Sequence, residues 1–279
     1  MNLDNENEIL KEDKTSPTFS EDELPFVTII IPTLNCAQDI PLTVDSVIEQ
    51  NYPRFEIIAI DAGSTDRTVD LLQSYEGDVV KLASMTEYNV YKMINMGLFM
   101  AKGEYINIIF PGDFYIHRHT LLDIMNHSLE NQKPDLVYCG TLLRDGKTEV
   151  KFLYRELSLD YLRVGQQPTS LQGCWFKRNV FNVLGGFRTD FKLRGGFDFL
   201  CRFYLSKKFS FSGLHRALTD YDLRWVTSRM VVNHFRETMK TIYRYFGAWT
   251  VMHWLLKQKD TGRFFRLWFR RVKIAFFGR

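Results

Sequence analysis

The sequence predicts an α/β protein with a mostly parallel sheet, and three observations lead there. Residues 27–31 and 55–60 are short apolar runs bounded by turn residues, the pattern of strands buried on both faces. Between them Ile40, Val44, Val47 and Ile48 recur at helical spacing, and after them Val69, Leu72 and Tyr75 do the same. Each run leads into a polar turn, Thr33-Leu34-Asn35 and Asp61 to Asp66. Strand, helix, strand, helix is a βαβα unit, with parallel strands and a right-handed crossover. Ligands in such sheets bind beyond the carboxyl ends of the strands. Both turns lie at that edge, so chemistry is expected there.

The remaining elements follow in order. Residues 79–83 read as a third strand. Val90, Met93, Ile94, Gly97 and Met100 then mark a helix whose Met stripe faces the core. Residues 105–110 form a fourth strand that runs directly into Pro111-Gly112-Asp113. Leu121, Leu122, Met125 and Leu129 define a helix, 135–139 a strand, and Asp145-Gly146 a hairpin turn between Leu143 and Val150. Beyond Leu157 the pattern is mixed: a strand near 170–176, a short helix ended by Gly185-Gly186, and a helix near 197–207. Phe235, Met239, Ile242 and Phe246 mark a helix closed by Gly247, and residues 263–277 a basic amphipathic helix. Internal repeats and low-complexity segments are absent.

With 45% hydrophobic residues in 279, the chain can bury a sizeable core. The formal net charge of +3 hides an asymmetry: residues 1–24 carry eight acids against Lys11 and Lys14, whereas 201–279 carry 17 Lys and Arg against four acids. Residues 1–24 read as a disordered acidic tail. The basic end is interleaved with aromatics, which favours an anionic membrane surface as a partner, and nucleic acid is not expected. Arg263, Arg266, Arg270 and Lys273 form one stripe of that last helix, and apolar residues up to Phe277 cover much of the rest. Cys36, Cys139, Cys174 and Cys201 are scattered without a paired motif, as in a reduced, cytoplasmic chain. No secretion signal opens the chain, and no apolar run is long enough to span a bilayer.

The ordered pair IIIPTLN and IDAGSTDRT, each at a strand end, resembles the nucleotide-sugar half of the inverting family-two glycosyltransferases. SMTEYNVYKMINMGLFMAKGEYI followed by FPGDFY is similar to the stretch before that family's metal-binding carboxylate. The resemblance covers residues 25–224. It implies a GT-A fold: a doubly wound, mostly parallel sheet with a Rossmann-like nucleotide-sugar half, a mixed acceptor half and C-terminal helices. The corresponding division is an acidic tail at 1–24, a glycosyltransferase domain at 25–227 and a basic helical extension at 228–279.

The resemblance also assigns roles. Pro32, Thr33, Asn35 and Asp61 would lie against the nucleotide, joined by Gly112 and by Lys92, which stands at an acidic family position. Asp113 would be the ligand of a divalent cation, Mn²⁺ or Mg²⁺, although Pro111 replaces the first carboxylate of the motif. A single carboxylate can suffice because such cations also take substrate phosphates. Gln172 matches the acceptor-side Gln of a His-Gln pair whose His is here Leu171. Aligned through Asp198 and Arg202, the general-base position falls on Gly196, leaving Asp198 as the candidate base. Ser64 and Asp66 read as helix caps, and His117 and His119, without a third ligand, as loop residues.

The expected function is inverting transfer from a nucleotide-diphosphate sugar to a glycan or lipid-linked acceptor, in cell-surface polysaccharide or lipopolysaccharide synthesis. The expected place is the cytoplasm, peripherally at the inner face of the membrane. The alternative is a degenerate GT-A domain that binds nucleotide sugar or a partner glycosyltransferase without catalysis; Pro111, Leu171 and Gly196 favour it. A nucleotidyltransferase would want a Gly-rich phosphate loop after the first strand, and Thr33-Leu34-Asn35 offers none.

Overall fold

A computed structural model describes residues 19–77, 80–145, 150–224 and 226–257. In chain order these form β1 (Val27–Thr33), α1 (Ile40–Ile48), β2 (Phe55–Asp61), α2 (Thr68–Ser74), β3 (Val80–Ser84), α3 (Val90–Met100) and β4 (Tyr105–Ile108). Then come α4 (Thr120–Glu130), β5 (Leu136–Arg144), β6 (Lys151–Leu153), α5 (Leu159–Arg163) and β7 (Cys174–Lys177). The last elements are α6 (Arg178–Leu184), α7 (Gly195–Ser206), β8 (Phe211–Asp222) and α8 (Ser228–Lys257). The described strands make one sheet in the order β3-β2-β1-β4-β7-β5-β6, with β8 paired to β5.

The pairs β1–β2, β1–β4, β2–β3 and β5–β8 are parallel, and β7 runs antiparallel between β4 and β5. The carboxyl ends of β1, β2, β3, β4, β5 and β8 therefore share one edge, and β7 begins at it. Successive side chains of a strand face opposite sides, which splits the core in two. Ile30 packs with Met93, Ile94 and Phe199 on one face; Ile29 and Ile31 pack with Val44, Val47 and Leu121 on the other. On the first face α3 approaches the sheet closely. A Cβ on Gly97 would lie 2.6 Å from Ile30 Cγ2, so only glycine fits there.

β1 does not stop at Pro32 but continues to Thr33. Ile30 O accepts from Ile109 N, while Thr33 O accepts from Ala62 N of the β2 side. Alternate residues thus face β4 and β2, and Pro32, two past Ile30, faces a side where β4 has already ended. A missing N–H costs nothing there.

The third strand and the paired arms of the hairpin, Thr141 opposite Leu153 and Leu143 opposite Lys151, stand as expected. Residues 146–149 of its turn lie outside the described residues. The last two elements of the mixed half differ more. β8 and α5 are absent from the sequence reading, and Gly247 (φ 81°, ψ 173°) closes the first part of α8 as expected, with a second helical stretch following across a kink. α8 packs on α5 and α7, so it belongs to the folded body. Its Glu237 accepts from the amides of Lys192 (2.8 Å), Leu193 (2.9 Å) and Arg194 (2.8 Å), and so fixes the approach to α7. The acidic tail is in part structured. Glu21–Glu23 form a 3-10 turn in which Ser20 and Glu23 bond reciprocally, and Leu24 is buried. Residues 1–18 and the basic segment 263–277 lie outside the described residues. No described helix is long and apolar enough to cross a membrane, and the four cysteines are unpaired.

Candidate active site

Two loops at the shared edge are stitched together by their own polar groups. Asn35 adopts a left-handed backbone (φ 47°), which Asn tolerates better than other non-glycine residues. Its Oδ1 accepts from Thr65 N (2.8 Å), and its N–H donates to Ser64 Oγ (2.9 Å). Cys36 N donates to Thr68 Oγ1 (2.8 Å) and Ala37 N to Asp66 Oδ2 (3.1 Å). Ser64 therefore clamps one loop to the other and caps no helix. Asp66 accepts from Thr68 N (2.9 Å) at the opening of α2.

Asp61 is buried at the end of β2, and both of its oxygens are in use. Oδ2 accepts from the amides of Gly63 (3.0 Å) and Ser64 (2.8 Å), and Oδ1 from the hydroxyls of Ser64 (2.5 Å) and Thr33 (3.2 Å). Four acceptor positions are all a carboxylate has. Asp61 thus builds the turn, whose exposed parts are Asn35, Gly63 and Thr65. Thr33 and Pro32 are buried beneath it.

The second part of the edge is the turn after β4. Gly112 has φ 93°, a conformation that glycine adopts without strain. Its N–H donates to Thr43 Oγ1 (2.9 Å), which in turn donates to the Asp113 carbonyl (2.8 Å), so α1 holds the turn. Asp113 is only 2% exposed. Its Oδ1 accepts from Asp222 N (2.8 Å) and its Oδ2 from the Gln172 amide. Gln172 is also buried, so its side chain serves Asp113 and lines no open acceptor groove. Its carbonyl accepts from Asn107 Nδ2 (2.8 Å), whose Oδ1 accepts from Tyr115 (2.8 Å).

Around Gly112 and Asp113 stand charges that the sequence reading passed over. Arg144, at the end of β5, donates to both oxygens of Asp220 (3.0 and 3.3 Å) and to Gly112 O (3.1 Å). Arg224 donates to both oxygens of Asp222 (2.6 and 3.0 Å). Burial pushes the Asp113 carboxyl up to about 8, and the nearby Asp220 and Asp222 charges add to that. Burial also raises Asp220. In Asp222 burial is outweighed by the Arg224 hydrogen bonds and the Arg144 charge, which hold it below the usual carboxylate range.

Whether these residues fit a divalent cation depends on what else would bind it. Among the described residues no group of three or more His, Cys, Asp or Glu side chains could hold a metal ion. The fit is therefore to a cation that takes phosphate oxygens from a ligand along with the Asp113 carboxylate. His119 stands at the N-cap position of α4 without a side-chain cap bond, and neither it nor His117 joins a metal cluster among the described residues.

Lys92, in the first turn of α3, pairs with Glu87 at 2.7 Å, both largely exposed. Such surface pairs are worth about 0–1 kcal/mol, so Lys92 is held only weakly where it stands.

Asp198 is not placed as a base. It is fully buried in the first turn of α7, and its carboxylate faces Arg244 Nη1 (3.1 Å), Tyr245 OH (3.0 Å), Arg202 Nε (3.2 Å) and Arg188 Nε (3.4 Å). Three cations and a hydroxyl surround it and leave it no access to an acceptor. The position that does face the edge is Gly196, where an added Cβ would meet Leu171, next to Gln172, at 3.4 Å. Residues two apart on a helix point to nearly opposite faces, so Asp198 cannot turn toward Leu171.

Against known proteins, residues 28–194 match the profile of Glycosyl transferase family 2. The chain belongs to that family. It is 25% identical over 201 residues to a PGL/p-HBAD biosynthesis glycosyltransferase of Mycobacterium bovis, covering 71% of this chain and 77% of that one. Its fold resembles that of S. aureus TarS 1-349 in complex with UDP-GlcNAc, with a TM-score of 0.65, 19% identity, and 84% of this chain and 67% of that one covered. It also resembles the mannosyltransferase PcManGT of Pyrobaculum calidifontis in complex with GDP-Man and Mn²⁺, with a TM-score of 0.58, 20% identity, and 96% and 85% covered. The fold class is GT-A.

Proposed function

We propose that the chain transfers a sugar, with inversion, from a nucleotide-diphosphate sugar to a glycan or lipid-linked acceptor of a cell-surface polysaccharide. The observation that carries this is the turn after β4. A buried Asp113 is braced by Gln172 and Asp222 N between Arg144 and Arg224, at the same edge as the stitched loops of Asn35 and Ser64. The loops would take the nucleoside through Asn35 and the backbone at Gly63. The diphosphate would then meet Arg144, Arg224 and Lys92. A divalent cation on Asp113 would supply further neutralisation of the leaving diphosphate. UDP-GlcNAc and GDP-Man in the two similar structures support a donor of this class. Nucleotide sugars screened by thermal shift, with and without Mn²⁺, test it. A bound donor at about a hundred times its dissociation constant is expected to stabilise by about 2.7 kcal/mol, and more with Mn²⁺ than without. No shift with any donor would remove the proposal.

A second reading, donor binding with little or no transfer, is favoured by Gly196. Without a carboxylate there, the acceptor hydroxyl has no evident base, and a general base contributes about 10²–10⁴-fold. Gly196→Asp meets Leu171 at ordinary contact distance and puts an acid in a helix's first turn, where it is tolerated. Under this reading wild type turns over slowly and Gly196→Asp speeds transfer within that range. Brisk wild-type turnover that Gly196→Asp leaves unchanged or lowers would dismiss it.

Peripheral attachment to the cytoplasmic face of a membrane is the reading for location. It is supported by Trp249, Met252 and Leu256, which share one stripe of the end of α8 and are 84%, 55% and 76% exposed. They lead into the basic, aromatic residues 258–279. Removing 258–279 is expected to release the protein from acidic vesicles with little change in melting point. A truncated protein that still sediments fully with them would refute the attachment.

A further inference from the structure

A cavity of about 410 Å³ opens at the edge opposite the candidate active site. It is floored by Leu24, Pro25 and Phe26 ahead of β1, and walled by the chain leading into β2, β4 and β5 and out of β7. One strand's length, about 20 Å, separates it from Asp113. Its size falls in the range of small-molecule sites.

Five cations line it: Arg54, Lys102, Lys133, Lys177 and Arg178. Three acids, Asp22, Glu23 and Glu104, offset them incompletely. Glu23 is turned to Ser20, accepting from its amide (2.9 Å) and hydroxyl (2.7 Å). Glu104 reaches only Lys133, at 4.0 Å. The Arg54 Nε is buried and has no hydrogen-bond partner. Among the described residues the Lys102 ammonium is also unpaired, its backbone alone being bonded, to Glu56. A buried donor without an acceptor is costly. Of these two groups only the Arg54 Nε is buried, Lys102 being exposed, and Asn179 and Asn182 of α6 add neutral amides to the lining.

We infer that this cavity binds a phosphate carried on a polyol, either a free sugar or glycerol phosphate or the headgroup of a glycerophospholipid. The phosphate would take guanidinium donors of Arg54, the point charge of Lys102 and the part of the Arg178 fork left free by its bond to the Ala101 carbonyl (3.3 Å). The asparagine amides would take the hydroxyls. The inference does not depend on donor binding at the other edge.

Glycerol phosphate titrated into the full chain by calorimetry tests it. Soluble short-chain phosphatidylglycerol, held below its micelle concentration so that no membrane surface is present, distinguishes the two sources. Lys102 and Arg178 are exposed, so Lys102→Ser with Arg178→Ser is expected to keep the melting point and weaken glycerol phosphate about a hundredfold, about tenfold for each charged contact. Arg54→Lys, which keeps the charge but loses the fork, is expected to weaken it several-fold. Arg144→Ser with Arg224→Ser, at the other edge, is expected to leave it unchanged. Short-chain phosphatidylglycerol that binds wild type and is lost with the Lys102 and Arg178 replacements assigns a headgroup, and glycerol phosphate that binds while the lipid does not assigns a free phosphate. Wild type that binds neither probe would overturn the inference. So would an affinity unchanged by the Lys102 and Arg178 replacements, or one lost only with Arg144 and Arg224.

Discussion

Asp113→Asn is expected to make the ligand-free protein more stable while abolishing its Mn²⁺-dependent response to donor. In the folded chain burial pushes the Asp113 carboxyl up to about 8, whereas in the unfolded chain it titrates near 3.9. Between those values the folded state holds a proton that the unfolded state has released. Stability therefore falls as pH rises from about 4 to about 8, and levels off above. Asparagine does not titrate and escapes this loss. It also fits the site: its oxygen can accept from Asp222 N, and a rotated Gln172 amide can accept from its nitrogen. The gain over wild type is then near zero at about pH 4 and on the order of a few kcal/mol at about pH 9. Urea unfolding at the two ends of that range measures it. A difference that does not grow with pH would show that Asp113 is not the strained group.

Asp198→Asn is expected to act in the opposite direction, on the fold and not on the chemistry. The carboxylate is the common anion of Arg188, Arg202 and Arg244, and it accepts from Tyr245. Removing one member of a fully buried ion pair typically costs about 3–5 kcal/mol, and with Arg188 and Arg244 partly exposed the cost here is expected toward the low end of that range. Donor affinity and turnover per folded molecule are expected to stay within a few-fold of wild type. A catalytic base would give the reverse pattern: unchanged unfolding with transfer lower by about 10²–10⁴-fold. That outcome would restore Asp198 to the reaction.

The pair of tests marks where the sequence could be read and where it could not. The first four strands and their helices were legible because each carries its own pattern of spacing and turn residues. The edge that bears Asp61 and Asp113 followed from topology alone. β8 was missed because Gly213, His215, Arg216 and Asp220 break its alternation, and Ala217 and Leu218 alone are its buried apolar side chains. The surroundings of Asp198 were not legible for a different reason. Alignment placed it beside a family acid, but apart from Arg202 its partners lie ten residues before it and 46 and 47 after it. Gln172 and Asp113 stand 59 apart, and Arg144 reaches Asp220 across 76. No local pattern encodes such meetings. They follow from which strand ends share an edge, and that required the antiparallel β7 and the parallel β8.

The grip of Glu237 on three successive amides has a consequence for motion. Lys192, Leu193 and Arg194 sit in an irregular segment, where amide protons ordinarily exchange quickly with solvent. Here their acceptor belongs to a helix more than forty residues further along. Their protons can leave only when α8 lifts away, so deuterium uptake at these three positions times the undocking of that helix. Gly195 and Gly196 follow directly in the chain. Each such opening therefore also loosens the wall beside Leu171, and the sheet edge and the end of the protein breathe together.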